Sequence, residues 1–249
     1  MPKSTVAVVT GASRGLGLAL TRELLSSGAM VVTVARTHNA ELDALAQQNG
    51  FHLQQVQADL SDATNIEAAA GRVSASIPAS AERYLMLNNA GVVEPIERAD
   101  GLSDAVAIQR AFNVNVNAVM VLSAAFLRAT AGASDRRILN VSSGAGRHPT
   151  AGWCVYCATK AALDHYTRVL AQENHGVRIA SLAPGVVDTD MQRDIRNSDP
   201  ARFPDRERFA QLHQQGQLTD PETVARKIIH HLSSDAYGRT LLDDIRNYV

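Results

Sequence analysis

The chain has 249 residues, of which 45% are hydrophobic, so it is long and apolar enough for one domain over residues 1–249 with a sizeable core. A formal net charge of -1 gives no basic field that would attract nucleic acid or an anionic membrane. The first residues form too short an apolar run for a signal peptide, and no stretch approaches the roughly 18 apolar residues of a membrane span. We therefore expect a cytoplasmic protein without nucleic-acid or membrane partners.

Short apolar runs alternate with segments of helical periodicity along most of the chain. The predicted strands cover residues 6–10, 30–35, 52–57, 84–87, 137–141, 177–182 and 240–242. The predicted helices cover residues 16–27, 41–48, 66–77, 103–130, 155–173, 205–214 and 221–232. Short continuous apolar strands are buried on both faces. Their alternation with helices predicts an α/β fold of the Rossmann type, a doubly wound parallel sheet in three α/β/α layers.

Residues 191–216 form the most polar and least regular stretch of the chain. Such a stretch inside a domain with otherwise short connections often covers a functional site. It therefore indicates either a mobile lid over the substrate or an exposed helical excursion, and the pattern does not separate the two.

The segment TGASRGLG, from Thr10 to Gly17, directly follows the first predicted strand and opens the first predicted helix. Gly11 permits a tight turn, while Gly15 and Gly17 let the backbone approach a pyrophosphate and pack closely on the sheet. The free N–H groups at the helix N-terminus favour phosphate binding. The segment therefore predicts a dinucleotide site, although a glycine-rich turn after a strand can also be only a turn.

Two arginines indicate which dinucleotide is bound. Arg14 lies inside the glycine segment, and Arg36 follows Ala35 at the end of the second predicted strand, where a carboxylate would accept hydrogen bonds from the ribose 2′-hydroxyl. Two guanidinium groups without an acid between them suit a 2′-phosphate. We expect NADP(H) rather than NAD(H), the alternative being that both arginines are solvated surface charges.

The stretch YCATK places Tyr156 and Lys160 on one face of a predicted helix, because the two residues are one helical turn apart. A free phenol has a pKa of about 10 and is a poor acid at neutral pH. A nearby ammonium would lower the pKa of the tyrosine, and the lysine could also bind the nicotinamide ribose. Ser143, just after a predicted strand, could hold a carbonyl oxygen opposite the phenol. The alternative is an ordinary helix after an ordinary turn.

Five motifs occur together in this order: TGASRGLG, NNAG at 88–91, Ser143, YCATK and PGVVDT at 184–189. In these motifs the chain resembles the short-chain dehydrogenase/reductase family over essentially its whole length. The resemblance implies a reductase in which Ser143 polarises the carbonyl, Tyr156 transfers a proton and Lys160 lowers the pKa of the tyrosine. It also implies a helix asparagine in a proton relay. Of the three asparagines in NVNVNA, the family pattern N-x-x-G selects Asn115, with Ala118 at the glycine position.

The same resemblance implies the residues that contact the cofactor and the partner subunit. The cofactor set is Gly11, Ser13, Arg14, Gly15, Leu16, Gly17, Arg36, Asp59, Leu60, Asn89, Ala90, Gly91, Tyr156, Lys160, Pro184, Gly185, Val187 and Thr189. Asn88 is expected to brace the sheet instead. The helices at about 103–130 and 155–173 usually form a four-helix interface in this family. That implies a homodimer or homotetramer, although the apolar face would also suit a monomer core.

The segments GWCVYCATKAALD, APGVVDTDMQ and QGQLTDPETVA resemble the branch that contains sepiapterin reductase and bacterial benzil reductases. This implies a ketone or vicinal diketone beside a flat aromatic or pterin ring, which Trp153 could wall unless it simply packs. The carboxylate that would hold a pterin is Asp243 or Asp244, and the choice stays open. The tail DDIRNYV departs from the pterin enzymes, which favours a diketone or general carbonyl reductase.

Two other functions remain as alternatives. One is a 3-oxoacyl-thioester reductase, and the other, from a different class, is a non-catalytic NADP-binding sensor or scaffold. Cys154 and Cys157 form a C-x-x-C around Tyr156, which permits redox chemistry or plain helix packing. Because no second Cys or His pair has a suitable spacing, no metal is expected.

Overall fold

A computed structural model describes residues 4–248 and contains a sheet of parallel strands. The strands are β1 (Thr5–Thr10), β2 (Met30–Ala35), β3 (Leu53–Gln57), β4 (Arg83–Asn88), β5 (Arg136–Val141), β6 (Arg178–Ala183) and β7 (Leu242–Asp244). Their order across the sheet is β3-β2-β1-β4-β5-β6-β7. Because the order reverses beside β1, ligands of such a sheet bind at the carboxyl ends of β1 and β4.

Helices cover both faces of this sheet. They are α1 (Gly15–Ser26), α2 (Ala40–Asn49), α3 (Ala63–Ser76), α4 (Ala105–Phe112), α5 (Ala118–Ala129), α6 (Cys154–Gln172), α7 (Asp190–Arg196), α8 (Arg206–Gln214) and α9 (Pro221–Ser233). One apolar layer joins the sheet to α1, α2 and α9, and the opposite layer joins it to α3, α5 and α6. The structure thus confirms the predicted doubly wound sheet with three α/β/α layers.

The two apolar layers follow from the alternation of side chains along each strand. Ala7 of β1 packs in the layer of α1, whereas its neighbour Val8 packs in the layer of α5. Both faces are covered, so the strands are rich in β-branched residues rather than alternately polar. Leu20 of α1 is 0% exposed, and burial of such a side chain contributes about 1.5–3 kcal/mol to stability.

Three elements differ from the sequence predictions. The last strand begins at Leu242 instead of residue 240, because β7 pairs with β6 only over 242–244. The predicted helix 103–130 consists of α4 and α5 joined by a π-helical turn, Asn113–Asn117. The stretch expected to be least regular contains α7, which its short polar sequence concealed and which the burial of Ile195 stabilises.

The continuous helical stretch Ala105–Ala129 is long and apolar enough, by length and composition, to cross a membrane. This corrects the expectation that no segment approaches such a span. However, 56% of its most apolar window is buried inside the fold, as in the core helix of a globular protein. The sequence reading missed it because the apolar run is interrupted by asparagines, which the π-helical turn accommodates without ending the helix.

Candidate active site

A cavity of about 970 Å³ opens at the carboxyl ends of β1, β4, β5 and β6. Its lining includes every residue predicted to contact the cofactor, from Gly11 after β1 to Thr189 after β6. Ser143 and Trp153 line the same cavity, whereas Asn115 is 1% exposed and is not among the described lining residues. One cleft therefore brings together the predicted cofactor residues and the predicted substrate residues.

The loop after β1 has the geometry that phosphate binding requires. Gly11 and Gly15 have φ values of 70° and 53°, which favour glycine. A Cβ on Gly17 would lie 2.1 Å from the Gly11 carbonyl oxygen, and Asn89 Nδ2 holds the loop by donating to the last carbonyl of β1 at 2.9 Å. Within residues 4–248, the side chain of the N-cap residue Arg14 makes no capping hydrogen bond. The first N–H groups of α1 thus fit the pyrophosphate of a nicotinamide dinucleotide.

Arg14 and Arg36 both line the cavity, but Arg14 has an acidic partner that sequence reasoning missed. Its Nη1 donates to Asp190 Oδ2 at 2.8 Å, and Arg193 binds the other carboxylate oxygen at 2.5 Å. Asp190 itself lines the cavity at the start of α7. The available signal was its position directly after PGVVDT, although only the folded chain brings it to Arg14. An anion at Arg14 would compete with this carboxylate.

Asp59 and Leu60, predicted to lie at the adenine, line the cavity beyond the end of β3. The Ser61 N–H donates to Asp59 at 3.0 Å and holds the pKa of that carboxyl below its ordinary value. The guanidinium groups of Arg36 and Arg110 lower it further, against the opposing effect of burial. Asp59 is therefore ionised at neutral pH and can accept hydrogen bonds from a ligand.

Tyr156 lies in the cleft with its hydroxyl hydrogen-bonded to Ser143. The Ser143 hydroxyl oxygen also accepts from the Ala145 N–H at 3.1 Å, which fixes the side chain at the end of β5. Burial raises the pKa of Tyr156 to about 12, and the hydrogen bond to Ser143 only partly opposes that shift. This corrects the expectation of a lowered pKa, because the loss of hydration on burial is the largest influence on the phenol. At neutral pH the phenol is protonated.

Lys160 lies one turn further along α6 and is 4% exposed. Its Nζ lies 5.7 Å from the centroid of the Tyr156 ring and donates to the Val141 carbonyl at 2.8 Å. Burial lowers the pKa of Lys160 to about 8, while the charge of Asp164 acts in the opposite direction. The ammonium is thus retained at neutral pH, close to the phenol, as the spacing in YCATK predicts.

Asn115, the candidate that the family pattern selects, binds Val92 in the loop after β4, which lines the cleft. Its Nδ2 donates to the Val92 carbonyl at 2.8 Å and to Thr159 Oγ1 at 3.0 Å, and its Oδ1 accepts from the Val92 N–H at 2.9 Å. A Cβ on Gly91 would lie 3.5 Å from Asn115 Oδ1 and 3.6 Å from Lys160 Nζ, so both groups face the same glycine. The π-helical turn thus presents Asn115 between the loop after β4 and helix α6, and its role in a relay stays a prediction.

Asn88 braces the sheet, as expected. Its Nδ2 donates to Asn140 Oδ1 on β5 at 2.8 Å and to Ser123 Oγ on α5 at 3.0 Å. Asn140 Nδ2 in turn donates to Thr167 Oγ1 on α6 at 2.9 Å. This buried polar chain joins two strands to two helices beneath the cleft, and Asn88 is not among the lining residues that the structure describes.

An aromatic cluster forms one wall of the cleft. Trp153 is 6% exposed and meets the Tyr156 ring edge-on, with centroids 5.4 Å apart. On its other side it stacks on Phe203 at 4.8 Å and contacts Phe209 at 5.3 Å. Trp153 therefore both packs and lines the cavity. The two phenylalanines belong to the segment 191–216, and sequence reasoning missed them because this segment is mostly polar.

The segment 191–216 contributes Met191, Gln192, Ile195 and Phe209 to the lining of the cavity. Phe203, at its centre, is 0% exposed and anchors the segment to Trp153. The segment therefore covers the Trp153 side of the cleft through buried contacts, and the predicted lid motion stays a prediction.

The two aspartates near the C-terminus, Asp243 and Asp244, are not among the described residues that line the cavity. Asp243 is 3% exposed, and its Oδ2 accepts from the Tyr248 hydroxyl at 2.5 Å beside His231 at 3.4 Å. Asp244 Oδ2 accepts from Arg246 Nη2 at 2.6 Å, and Arg246 does line the cavity. At this corner it is thus an arginine, rather than an aspartate, that lines the cavity.

The thiols next to Tyr156 are both free, Cys154 exposed and Cys157 partly buried. Burial raises the pKa of Cys157, which disfavours the reactive thiolate. A redox role therefore stays an untested alternative to packing. Over residues 4–248, no group of three or more His, Cys, Asp or Glu side chains could hold a metal ion.

Comparisons with known proteins agree with this geometry. The short chain dehydrogenase family model matches residues 5–200. Benzil reductase ((S)-benzoin forming) of Bacillus cereus is 36% identical over 92% of this chain and 94% of that protein. Sepiapterin reductase of Meriones unguiculatus is 33% identical over 93% of this chain and 92% of that protein. The crystal structure of the KRED1-Pglu enzyme, 34% identical, matches with a TM-score of 0.83 over 95% of this chain and 99% of that one.

Proposed function

This chain belongs to the short-chain dehydrogenase/reductase family, and on that premise we propose that it reduces a ketone or vicinal diketone to the alcohol with NADPH. As a member of the family it is an oxidoreductase of carbonyl and CH–OH groups that binds a nicotinamide cofactor. The observation that carries the proposal is that Ser143, Tyr156 and Lys160 line the same cleft as the glycine loop.

The four predicted catalytic residues divide the chemistry among them. When bound, the reduced cofactor supplies a hydride to the carbonyl carbon. Ser143 Oγ donates to the carbonyl oxygen, and Tyr156, protonated at neutral pH because its pKa is about 12, gives that oxygen its proton. The Lys160 ammonium, 5.7 Å from the ring centroid, favours the phenolate that remains. Asn115 then supports the return of a proton from solvent to the tyrosine.

The preference for NADPH rests on Arg14 and Arg36, which both line the cavity next to the glycine loop and the end of β2. A 2′-phosphate would receive charge-assisted hydrogen bonds from these guanidinium groups. The carboxylate of Asp190, which pairs with Arg14, is the competing anion. Initial rates with NADPH and with NADH at equal concentrations test this preference, and equal kcat/KM values for the two cofactors would contradict it.

The substrate side of the cleft favours a flat apolar carbonyl compound. Trp153, Phe209 and Ile195 line it together with Tyr156, so an aromatic ring beside the carbonyl could be buried against rings rather than in water. The relatives that resemble this chain include a benzil reductase and a sepiapterin reductase, and both names denote carbonyl compounds that carry rings. We expect higher kcat/KM on aromatic vicinal diketones than on pterins or 3-oxoacyl thioesters. Preference for the thioesters would favour the alternative reductase.

Tyr156→Phe tests the proposed acid. The variant should fold and bind NADPH, yet turnover should fall at least about 100-fold, because general acid catalysis contributes that much or more. Tyr166→Phe is the matched control, since Tyr166 is a partly buried tyrosine on the same helix that does not line the cavity within residues 4–248. Retained activity in Tyr156→Phe would refute the assignment. NADPH binding by the wild type without turnover on any carbonyl would favour the sensor.

We also propose that the protein is a homodimer or homotetramer through α4–α5 and α6. Met120 and Val169 are large apolar residues exposed to 38% and 40% on these helices. A groove between the helices is lined by Met120, Leu127 and Tyr166. An exposed apolar face of this kind is typical of the surfaces that become buried in permanent interfaces. Light scattering of the wild type and of Met120→Lys tests it, and a wild-type monomer would contradict it.

Cytoplasmic localisation, a small-molecule carbonyl substrate and the absence of nucleic-acid or membrane partners are likewise proposals. The formal net charge of -1, which gives no general attraction to polyanions, supports the absence of nucleic-acid or membrane partners. Cell fractionation and binding to DNA or anionic vesicles at low salt test them, and salt-sensitive binding to either would contradict them.

A further inference from the structure

Three consecutive residues at the end of β5 are tied to three successive turns of α6. Ser143 is hydrogen-bonded to Tyr156, and the Val141 carbonyl accepts from Lys160 Nζ at 2.8 Å. Between them, Ser142 Oγ donates to Asp164 Oδ1 at 2.7 Å. Tyr156, Lys160 and Asp164 are spaced one turn apart, so they lie along one face of the helix. The first two contacts belong to the proposed chemistry, whereas the third has no role in it so far.

The Asp164 carboxyl group is buried and hydrogen-bonded within the fold. It is 4% exposed, and its oxygens accept from Ser142 Oγ, from Ser181 Oγ at 2.5 Å and from Arg147 Nε at 3.1 Å. These three donors, one of them a guanidinium, satisfy the buried carboxyl oxygens. Asp164 is not among the described residues that line the cavity, so it does not contact substrate. Any effect on the reaction must pass through a neighbour.

The neighbour that its charge reaches is Lys160. The Asp164 carboxylate raises the pKa of the lysine and partly offsets the effect of burial. On α6 the other titratable group facing Lys160 is Tyr156, which is neutral at neutral pH. Arg147, in the segment after β5, places a positive charge next to Asp164, which opposes the effect of the carboxylate on Lys160.

Arg147 is anchored away from the cleft. Its Nη1 donates to the Asp243 carbonyl at 3.0 Å and its Nη2 to the Ser181 carbonyl at 3.1 Å. The positive charge of Arg147 also helps to lower the pKa of the Asp244 carboxyl on β7. The guanidinium is thus fixed at the β6–β7 edge of the sheet. It binds Asp164, whose charge in turn acts on Lys160. Removing Asp164 or Arg147 should therefore change the field at Lys160 in opposite directions.

We propose that Asp164 is a positioning residue for the carbonyl reduction, which acts through Lys160 by keeping its amine protonated and by holding the end of β5 through Ser142. The inference rests on the proposed function, because it assigns Lys160 a part in catalysis. It predicts that Asp164 affects turnover and its dependence on pH, whereas the affinity for the carbonyl substrate stays nearly unchanged.

The test is the pH profile of carbonyl reduction from pH 6 to 10 in matched variants. Asp164→Asn should lower kcat about 5-fold at pH 8 and shift the alkaline limb down by about one pH unit, as loss of one neighbouring opposite charge does. KM for the carbonyl substrate should change less than twofold. Arg147→Met, which leaves the carboxylate uncompensated, should shift the same limb upward. Asp164→Glu keeps the charge and should keep the limb near the wild-type position.

A purely structural role gives different results. Asp135→Asn removes another buried carboxylate that binds arginines, at the opposite end of β5, and should leave the limb unmoved. If Asp164→Asn and Arg147→Met both leave the limb at the wild-type position, or move it in the same direction, the proposal is overturned. Should Asp164→Asn fail to fold, the direction of the Arg147→Met shift decides. Failure of the proposed function itself appears separately, as full activity of Tyr156→Phe.

Discussion

Asp135→Asn should strongly destabilise the protein without changing the chemistry. Asp135 precedes β5 and accepts from Arg137 Nε and Nη2 at 2.8 and 3.0 Å, from Arg83 Nε at 2.8 Å and from Arg178 Nη2 at 2.8 Å. Arg137 is 1% exposed, so the substitution leaves its guanidinium buried without a counter-charge. Breaking a buried pair in this way costs about 3–5 kcal/mol. The pairs with Arg83 and Arg178, exposed to 18% and 35%, add little beyond that.

Urea and thermal unfolding measure this loss. For a chain of this length each kcal/mol lowers Tm by about 2–4 °C, so we expect a decrease of about 6–20 °C. Asp235→Asn is the matched control, because Asp235 is exposed at the end of α9 and should change stability by less than about 0.5 kcal/mol. If the two variants unfold alike, the reasoning about the buried arginine is wrong. The kcat of the folded variant should equal that of the wild type.

The pH dependence gives a second check on the same carboxylate. The three arginines hold the pKa of Asp135 well below its ordinary value. A carboxyl with a depressed folded-state pKa stabilises the fold above its unfolded-state pKa of about 4 and loses that contribution as the pH falls further. The stability gap between wild type and Asp135→Asn should therefore be constant from pH 5 to 8 and shrink below about pH 4. A gap that widens on acidification would contradict this assignment.

Three further predictions concern the site. The rate of carbonyl reduction should be nearly level from pH 6 to 7 and fall to about half near pH 8, because the pKa of Lys160 is about 8 and the reaction uses its ammonium; a profile unchanged to pH 10 would contradict this. Arg36→Asp should weaken NADPH binding about 10- to 100-fold by the loss of charge-assisted hydrogen bonds, as titration calorimetry would detect, while NADH binding and the control Arg239→Asp stay near wild type. Phe203→Ala should lower the free energy of unfolding by about 3–5 kcal/mol, since Phe203 is 0% exposed. Because Phe203 stacks on Trp153, the variant should also raise KM for aromatic diketones more than for small aliphatic ones. An equal change in both KM values would refute the aromatic wall.

Much of the site could be predicted because its residues lie in local patterns. The glycine segment, the spacing of Tyr156 and Lys160, and Ser143 at a strand end each follow from the geometry of one turn, one helix or one strand. The direction of the Tyr156 pKa shift could not be predicted, since it depends on how much water the fold excludes.

Other features depend on contacts between distant parts of the chain. Asp190 meets Arg14 across 176 positions, and Arg147 reaches the Asp243 carbonyl across 96. Phe203 looks like a single apolar residue in a polar stretch until its ring is found stacked on Trp153. Neither kind of contact leaves a periodic signal in the sequence.

By itself the sequence determined the layered α/β fold, its strand-end cleft and the Tyr156–Lys160 pair, because hydrophobic periodicity and glycine spacing are short-range properties of the backbone. The tertiary structure alone decided that the Tyr156 phenol is protonated at neutral pH, that an arginine rather than Asp243 or Asp244 lines the cleft, and that Asp164 binds Ser142 behind Lys160. The physical reason is that charge, burial and ring stacking depend on distances through space, which only the packed chain establishes.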